Sequence, residues 1–180
     1  MLSAFGKAFK TPDLRRKIFF TLSIMALFRF GSVVPTPGVS YVNVQECIKT
    51  ANTGGLFGLI NLFSGGALLH LSVFALGIMP YITSSIIVQL LTVVIPRFEA
   101  LKAEGQSGTA KLTQYTRYLT IGLAVLQSTG LVAVARIQGR IFSNCSLPII
   151  PDTSLIRIIT MIVVMTAGTS VIMWLGELIT

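Results

Sequence analysis

The sequence predicts an all-α protein built as a polytopic membrane helix bundle. It is 53% hydrophobic and only 11% charged, whereas about a quarter of the residues of a soluble domain carry charge. Several uncharged runs approach the roughly 20 residues needed to cross a bilayer. The basic residues flank these runs instead of forming one stripe, so the net charge of +8 does not indicate a direct nucleic-acid role.

The first span is predicted at residues 18–37, after a basic segment at 1–17. That segment carries five Lys/Arg, which favours contact with anionic lipid heads at the cytoplasmic surface of the bilayer. A solvated basic tail is an equal alternative. Pro12 suits a helix start, and the prolines at 35 and 37 followed by Gly38 end the helix.

Arg29 is the unusual residue of this span, because a charge at the bilayer centre costs about 2.5–3.5 kcal/mol on insertion scales. One interpretation is that its long side chain extends to the outer interface. The alternative is that Arg29 faces the inside of the bundle.

Residues 39–55 read as a polar outer loop, and 56–71 as an apolar piece that is too short to span because a glycine pair interrupts it. Such a piece is typical of a re-entrant segment that lies against protein or a water-filled cavity.

The second span is predicted at 73–95. A proline inside a helix is costly, so Pro80 predicts that the regular helix begins around Ile78 after an irregular lead-in.

Residues 96–117 read as an exposed cytoplasmic loop with one helical turn, and 118–135 as the third span. Small residues four apart, Ala124 with Ser128 and Thr129 with Ala133, predict close helix packing.

An outer loop at 136–154 and a fourth span at 155–176 follow. The predicted inner segments hold nine Lys/Arg and the outer ones four, which favours a cytoplasmic N-terminus.

The two cysteines, Cys47 and Cys145, fall in the two predicted outer loops. Their spacing has no disulfide signature, which favours two unrelated thiols. A disulfide in an oxidising compartment is the alternative.

Catalytic chemistry has no candidate constellation in this sequence. It holds one histidine, His70, and none of the metalloprotease, phosphate-loop or nucleophile-elbow motifs. We therefore expect no enzyme activity, no cofactor and no metal site, and we interpret His70 as a half-exposed residue at a helix end. A secondary transporter for small solutes, which also uses broken helices, is the alternative, although no carboxylate lies deep in a predicted span.

Four stretches of the chain carry a family resemblance, and they occur in the family's order. They are FRFGSVVPTPG at 28–38, FSGGALLHLSVFALGIMPYITSSIIVQLLTVV at 63–94, KLTQYTRY at 111–118 and WLGELIT at 174–180. The sequence resembles the N-terminal part, helices one to four, of SecY, the central subunit of the bacterial protein-translocation channel. The resemblance implies a ten-helix channel in the plasma membrane, of which this chain would supply the first four spans and a short re-entrant plug helix.

Site residues follow from the resemblance by position. The pore ring at the channel waist would include Ile78, Ile82 and Ile86, although helical periodicity alone favours a lipid-facing or packing stripe. Thr83 and Gln127 would lie on the lateral gate. The plug would include Leu59, Phe63, Ser64, Gly65, Gly66, Ala67 and Leu71.

The resemblance also implies partners. These are the membrane subunits SecE and SecG, the SecA ATPase or a ribosome as the source of energy, preprotein signal sequences and the lipid bilayer. The whole assembly would pass unfolded preproteins across the membrane and sideways into it.

Overall fold

The computed structural model describes residues 12–50, 62, 65–137, 145 and 147–179. These residues form six helices and no β-strand, apart from one isolated bridge between Pro35 and Ser72. The predicted all-α class is confirmed. The helices are α1 Pro12–Val33, α2 Tyr41–Thr50, α3 Met79–Val94, α4 Pro96–Ala103, α5 Gln106–Arg136 and α6 Leu155–Ile179.

Helix α5 forms the centre of the described fold and packs along both α3 and α6. Arg117 in the first half of α5 pairs with Glu177 near the end of α6. The hydroxyl oxygens of Ser128 and Thr166 lie 3.5 Å apart. These contacts show that α5 and α6 run antiparallel. We call the end that holds α2 and Cys145 the disulfide end, and the opposite end the α4 end.

The buried faces of α3 and α5 repeat every four residues and consist largely of small or hydroxyl-bearing side chains. Ser84 donates its hydroxyl to the Pro80 carbonyl at 2.8 Å, and Thr120 donates to the Thr116 carbonyl at 2.7 Å. Because the hydroxyls are satisfied within their own helix, the helices can approach closely. The predicted packing of Ala124 and Ser128 is confirmed by their burial, whereas Thr129 and Ala133 are exposed.

Helix α2 corrects the prediction that residues 39–55 form a loop. Val44 and Cys47 lie on one face of α2 and are completely buried, in a cluster with Leu71, Ile149 and Met165. Tertiary packing stabilises this ten-residue helix, since so short a helix would be marginal alone. The side-chain amide of Asn43 also donates to the Pro148 carbonyl at 2.8 Å.

A disulfide joins Cys47 to Cys145 at this end, with 5.4 Å between their Cα atoms. The interpretation as two unrelated thiols is therefore wrong. The prediction that both cysteines lie on the same side of the bundle agrees with the bond. Because the spacing of the two cysteines has no disulfide signature, their pairing could not be predicted from the sequence.

The segment 96–117 is helical over most of its length, so its prediction as a loop is wrong. Ile95 is extended, as favoured before a proline, and Pro96 then starts α4 at 99° to α3. Helix α5 begins at Gln106 after Gly105, whose φ is +75°. A Cβ at Gly108 would lie 1.5 Å from the Leu101 carbonyl oxygen, so glycine permits this tight crossing of α4 and α5.

By length and composition, α5 and the Leu155–Leu178 part of α6 could each cross a membrane, and the bent α3–α4 pair could provide a third span. Helix α1 is not among these candidates, because its 22 residues include several charges near the N-terminal end and Arg29. The division into four spans stays a prediction.

Candidate channel-lining site

The three predicted ring residues lie along one stripe of α3 and its N-terminal cap. The buried residues Pro80, Ser84, Val88 and Thr92 form the packed face of this helix. Residues two apart on a helix are about 200° apart around its axis, so Ile82 and Ile86 lie opposite that face. They are 42% and 50% exposed. Periodicity predicted the shared stripe, and the described residues leave Ile82 and Ile86 exposed, whereas Ile78 is half-buried.

Ile78 lines an apolar groove of about 450 Å³ between α1, the start of α3 and α6. Its Cδ1 atom lies 4.0 Å from the position of a Cβ built on Gly176. The groove continues the isoleucine stripe toward α1. Its other lining residues are Ile24, Met25, Phe28, Arg29, Ile172, Leu175 and Gly176.

Of the predicted plug at 59–71, the structure describes Leu62 and residues 65–71, and Leu59, Phe63 and Ser64 lie outside the described residues. Residues 65–71, which we call the plug segment, consist of turns, whereas Leu62 is helical. Gly65 and Gly66 have φ of +62° and +90°, a region that glycine enters without the steric cost of a Cβ. Ala67 and Leu71 are buried, with exposed fractions of 0% and 1%.

Turns continue from Gly65 through Ile78, directly to the start of α3. The predicted irregular lead-in at 73–77 and the helix start around Ile78 are confirmed, because Ile78 caps α3 and Pro80 falls in its first turn. Pro80 lacks only a hydrogen bond that the first turn cannot form in any case.

Backbone hydrogen bonds join the end of the plug segment to the residues after α1. Thr36 donates its N–H to the Leu71 carbonyl, and Val73 donates to the Val34 carbonyl, each at 3.0 Å. The isolated bridge between Pro35 and Ser72 lies between them. This short antiparallel pairing fixes residues 71–73 against the chain that leaves α1.

Arg29 reaches the other end of the same segment. Its Nη1 atom donates a hydrogen bond to the Gly65 carbonyl oxygen at 2.6 Å. Arg29 is exposed among the described residues while it makes this contact, so both sequence interpretations stay predictions. Next to it, the rings of Phe28 and Phe74 stack with centroids 5.9 Å apart.

The two predicted gate residues do not form a hydrogen bond with each other in the described structure. Thr83 donates its hydroxyl to the Met79 carbonyl at 2.9 Å within α3. Gln127 is exposed on α5, next to the buried Ser128. Neither observation tests a gate role.

An ion pair that the sequence analysis did not predict ties α5 to α6. Arg117 donates from Nε to Glu177 at 3.0 Å and from a terminal nitrogen to the second carboxylate oxygen. A bidentate pair of this kind fixes the relative orientation of two groups. A sequence signal for this ion pair did exist. Arg117 lies at the start of the predicted third span and Glu177 at the end of the predicted fourth, and two antiparallel spans bring these positions together.

His70 is half-buried within the turns of the plug segment rather than at a helix end. Its Nδ1 atom is buried and forms no hydrogen bond with the described residues. Within the described ranges, no three potential ligating side chains are grouped as a metal site would require.

These features define a class of protein: a membrane helix bundle in which an uncovered apolar helix face adjoins a glycine-containing segment of turns. Comparison with known proteins gives the family. A sequence model of the SecY family matches residues 72–180, and the chain belongs to that family.

Curated relatives agree with this assignment over the whole chain. Proteins named protein translocase subunit SecY are 66% identical in Streptomyces scabiei over 183 aligned residues, 64% identical in Streptomyces coelicolor and 59% identical in Mycobacterium bovis. Each match covers 100% of this chain but only 41–42% of the relative. The chain therefore spans less than half the length of these relatives.

Proposed function

We propose that this chain forms the N-terminal part of a pore-forming translocon subunit that passes unfolded preproteins across the plasma membrane and sideways into it. The single observation that best supports this function is the uncovered isoleucine stripe of α3 beside the turns of the plug segment. The family membership and the relatives' name, protein translocase subunit SecY, agree with it.

In this proposal, Ile78, Ile82 and Ile86 contribute to an apolar ring at the channel waist. An apolar constriction excludes water and thereby blocks ions, while branched side chains can move apart around a passing peptide. The segment at 59–71 acts as the plug that stops the idle pore. Thr83 and Gln127 lie on the lateral gate, where signal sequences enter.

The proposed activity needs no chemistry from this chain, so we assign it no enzyme activity. SecA or a ribosome supplies the energy, and SecE and SecG complete the membrane assembly.

The disulfide supports the proposed orientation in a bacterial plasma membrane. Disulfides persist in oxidising compartments and are rare in the cytosol, so the disulfide end faces outward. Helix α1 runs toward that end, since its C-terminal residues adjoin the turns packed there. The N-terminus and the α4 end then face the cytoplasm, in agreement with the distribution of Lys and Arg.

Replacing Ile82 with glycine is expected to raise the ion leak of the idle channel. The change removes a branched side chain from the ring and leaves a gap that water can fill. We would measure conductance in planar bilayers that hold the full-length subunit in its complex.

Ile87→Gly is the matched control, because it places the same glycine in the same helix about 140° away around the axis. Ile87 is half-buried, so its variant carries at least a comparable stability cost. Equal conductance in wild-type and Ile82→Gly channels, or equal leaks through both variants, would contradict the ring assignment.

A further inference from the structure

We propose that Arg29 is the latch of the plug segment: a positioning residue whose guanidinium holds the glycine end of residues 65–71 against α1. The inference rests on the proposed function only for what the segment does when it is released. The hydrogen bond from Arg29 Nη1 to the Gly65 carbonyl, at 2.6 Å, carries it.

The position of Arg29 in the chain supports a specific task. It is the only charged residue between Lys17 and Glu46, and it lies in the predicted first span, where a charge is costly unless it finds a partner. A carbonyl oxygen in a turn is a suitable partner, because no helix hydrogen bond uses it. A charged donor also gives a stronger hydrogen bond than a neutral one.

Gly65 lies close to Phe28 and Arg29 of α1, and a larger residue at this position would crowd them. A Cβ added at Gly65 would lie 3.3 Å from Phe28 Cε1 and 3.8 Å from Arg29 Nη1. Phe28 in turn stacks on Phe74, so adjacent residues of α1 contact the segment near both of its ends. A Cβ added at Gly66, by contrast, would meet no described atom within 4 Å.

The two ends of the segment are held in different ways. At residues 71–73, two backbone hydrogen bonds and a bridge join the chain to residues 34–36. At Gly65, the described link to α1 is one side-chain hydrogen bond beside one aromatic ring. In this proposal the glycine end separates first, with residues 71–73 as the pivot.

The test measures the position of the segment directly. Spin labels at Leu27→Cys on α1 and Leu62→Cys before the glycines, which are 55% and 79% exposed, would report their separation in the full-length idle complex. Arg29→Gln removes the charge and the fork of donors. We expect the population with a long separation to rise about tenfold, equivalent to ~1.4 kcal/mol, with a partial return in Arg29→Lys.

Ion conductance of the same complexes distinguishes a failure of the latch proposal from a failure of the proposed plug function. A longer separation together with a higher leak supports both. A longer separation with unchanged leak supports the latch and contradicts the plug role. Unchanged separation overturns the latch, including when the leak rises, because Arg29 would then act on the ion pathway without holding the segment.

A second pair of variants keeps the test decisive if Arg29→Gln does not accumulate. Gly65→Ala and Gly66→Ala both place a side chain at positive φ, but only the first brings a Cβ against Phe28. We expect Gly65→Ala to lengthen the label separation more than Gly66→Ala. Equal effects of the two would overturn the proposed latch.

Discussion

Replacing Gly168 with alanine is expected to destabilise the protein by about 1–3 kcal/mol, the usual cost of overpacking a well-packed site. A Cβ at this position in α6 would lie 2.2 Å from the Val73 carbonyl oxygen and 2.9 Å from Val73 Cγ1. The backbone of Val73 cannot shift easily, because its N–H is bonded to the Val34 carbonyl. The added methyl group must push α6 away from the turns that precede α3.

The measurement is thermal unfolding of the purified full-length protein in detergent. Gly176→Ala is the matched control in the same helix, since its Cβ would make only an ordinary contact with Ile78 Cδ1 at 4.0 Å. Alanine also favours helix over glycine by up to about 1 kcal/mol, so we expect Gly176→Ala to melt at or slightly above the wild-type temperature. Equal melting of the two variants would contradict the close approach of α6 to Val73.

Replacing Cys47 with serine is expected to have the other large effect. The disulfide closes a loop with a sequence separation of 98, for which the chain-entropy argument gives about 4–5 kcal/mol. Helices that stay inserted in a bilayer or micelle already restrict the unfolded chain. We therefore expect about 2 kcal/mol, at the lower end of the usual range.

Three samples should then melt alike: Cys47→Ser, Cys145→Ser and the wild type after reduction. The double variant should be no less stable than either single variant, because the first substitution already removes the bond. Non-reducing electrophoresis after cleavage between residues 50 and 140 should show two fragments joined until they are reduced. Additive losses in the double variant, or fragments that separate without a reductant, would contradict the disulfide.

Local chemistry made the start of α3 predictable from the sequence. Pro80 is tolerated only near a helix N-terminus, so it fixed the beginning of the regular helix to within one or two residues. Ala124 and Ser128 likewise gave the packed face of α5, since small residues four apart mark a close approach. Leu155 as the start of α6 followed from the return of an uninterrupted apolar run.

Features that depend on distant parts of the chain could not be read locally. Helix α2 exists because Val44 and Cys47 pack on Ile149 and Met165, more than 100 residues further along. The polar residues at 106–117 looked like a loop, yet Leu112 and Thr116 pack as the first turns of α5. The contact between Arg29 and Gly65 could not be predicted, because it depends on the path of the irregular chain after α1, and no periodicity describes that path.

The channel proposal is tested most directly by crosslinking to cargo. A photoreactive residue at Ile82, in the full-length subunit with a stalled preprotein, should crosslink to the preprotein chain. The same probe at Ile87, on the same helix but away from the stripe, should not. Absence of preprotein crosslinks from all of Ile78, Ile82 and Ile86 would contradict the account.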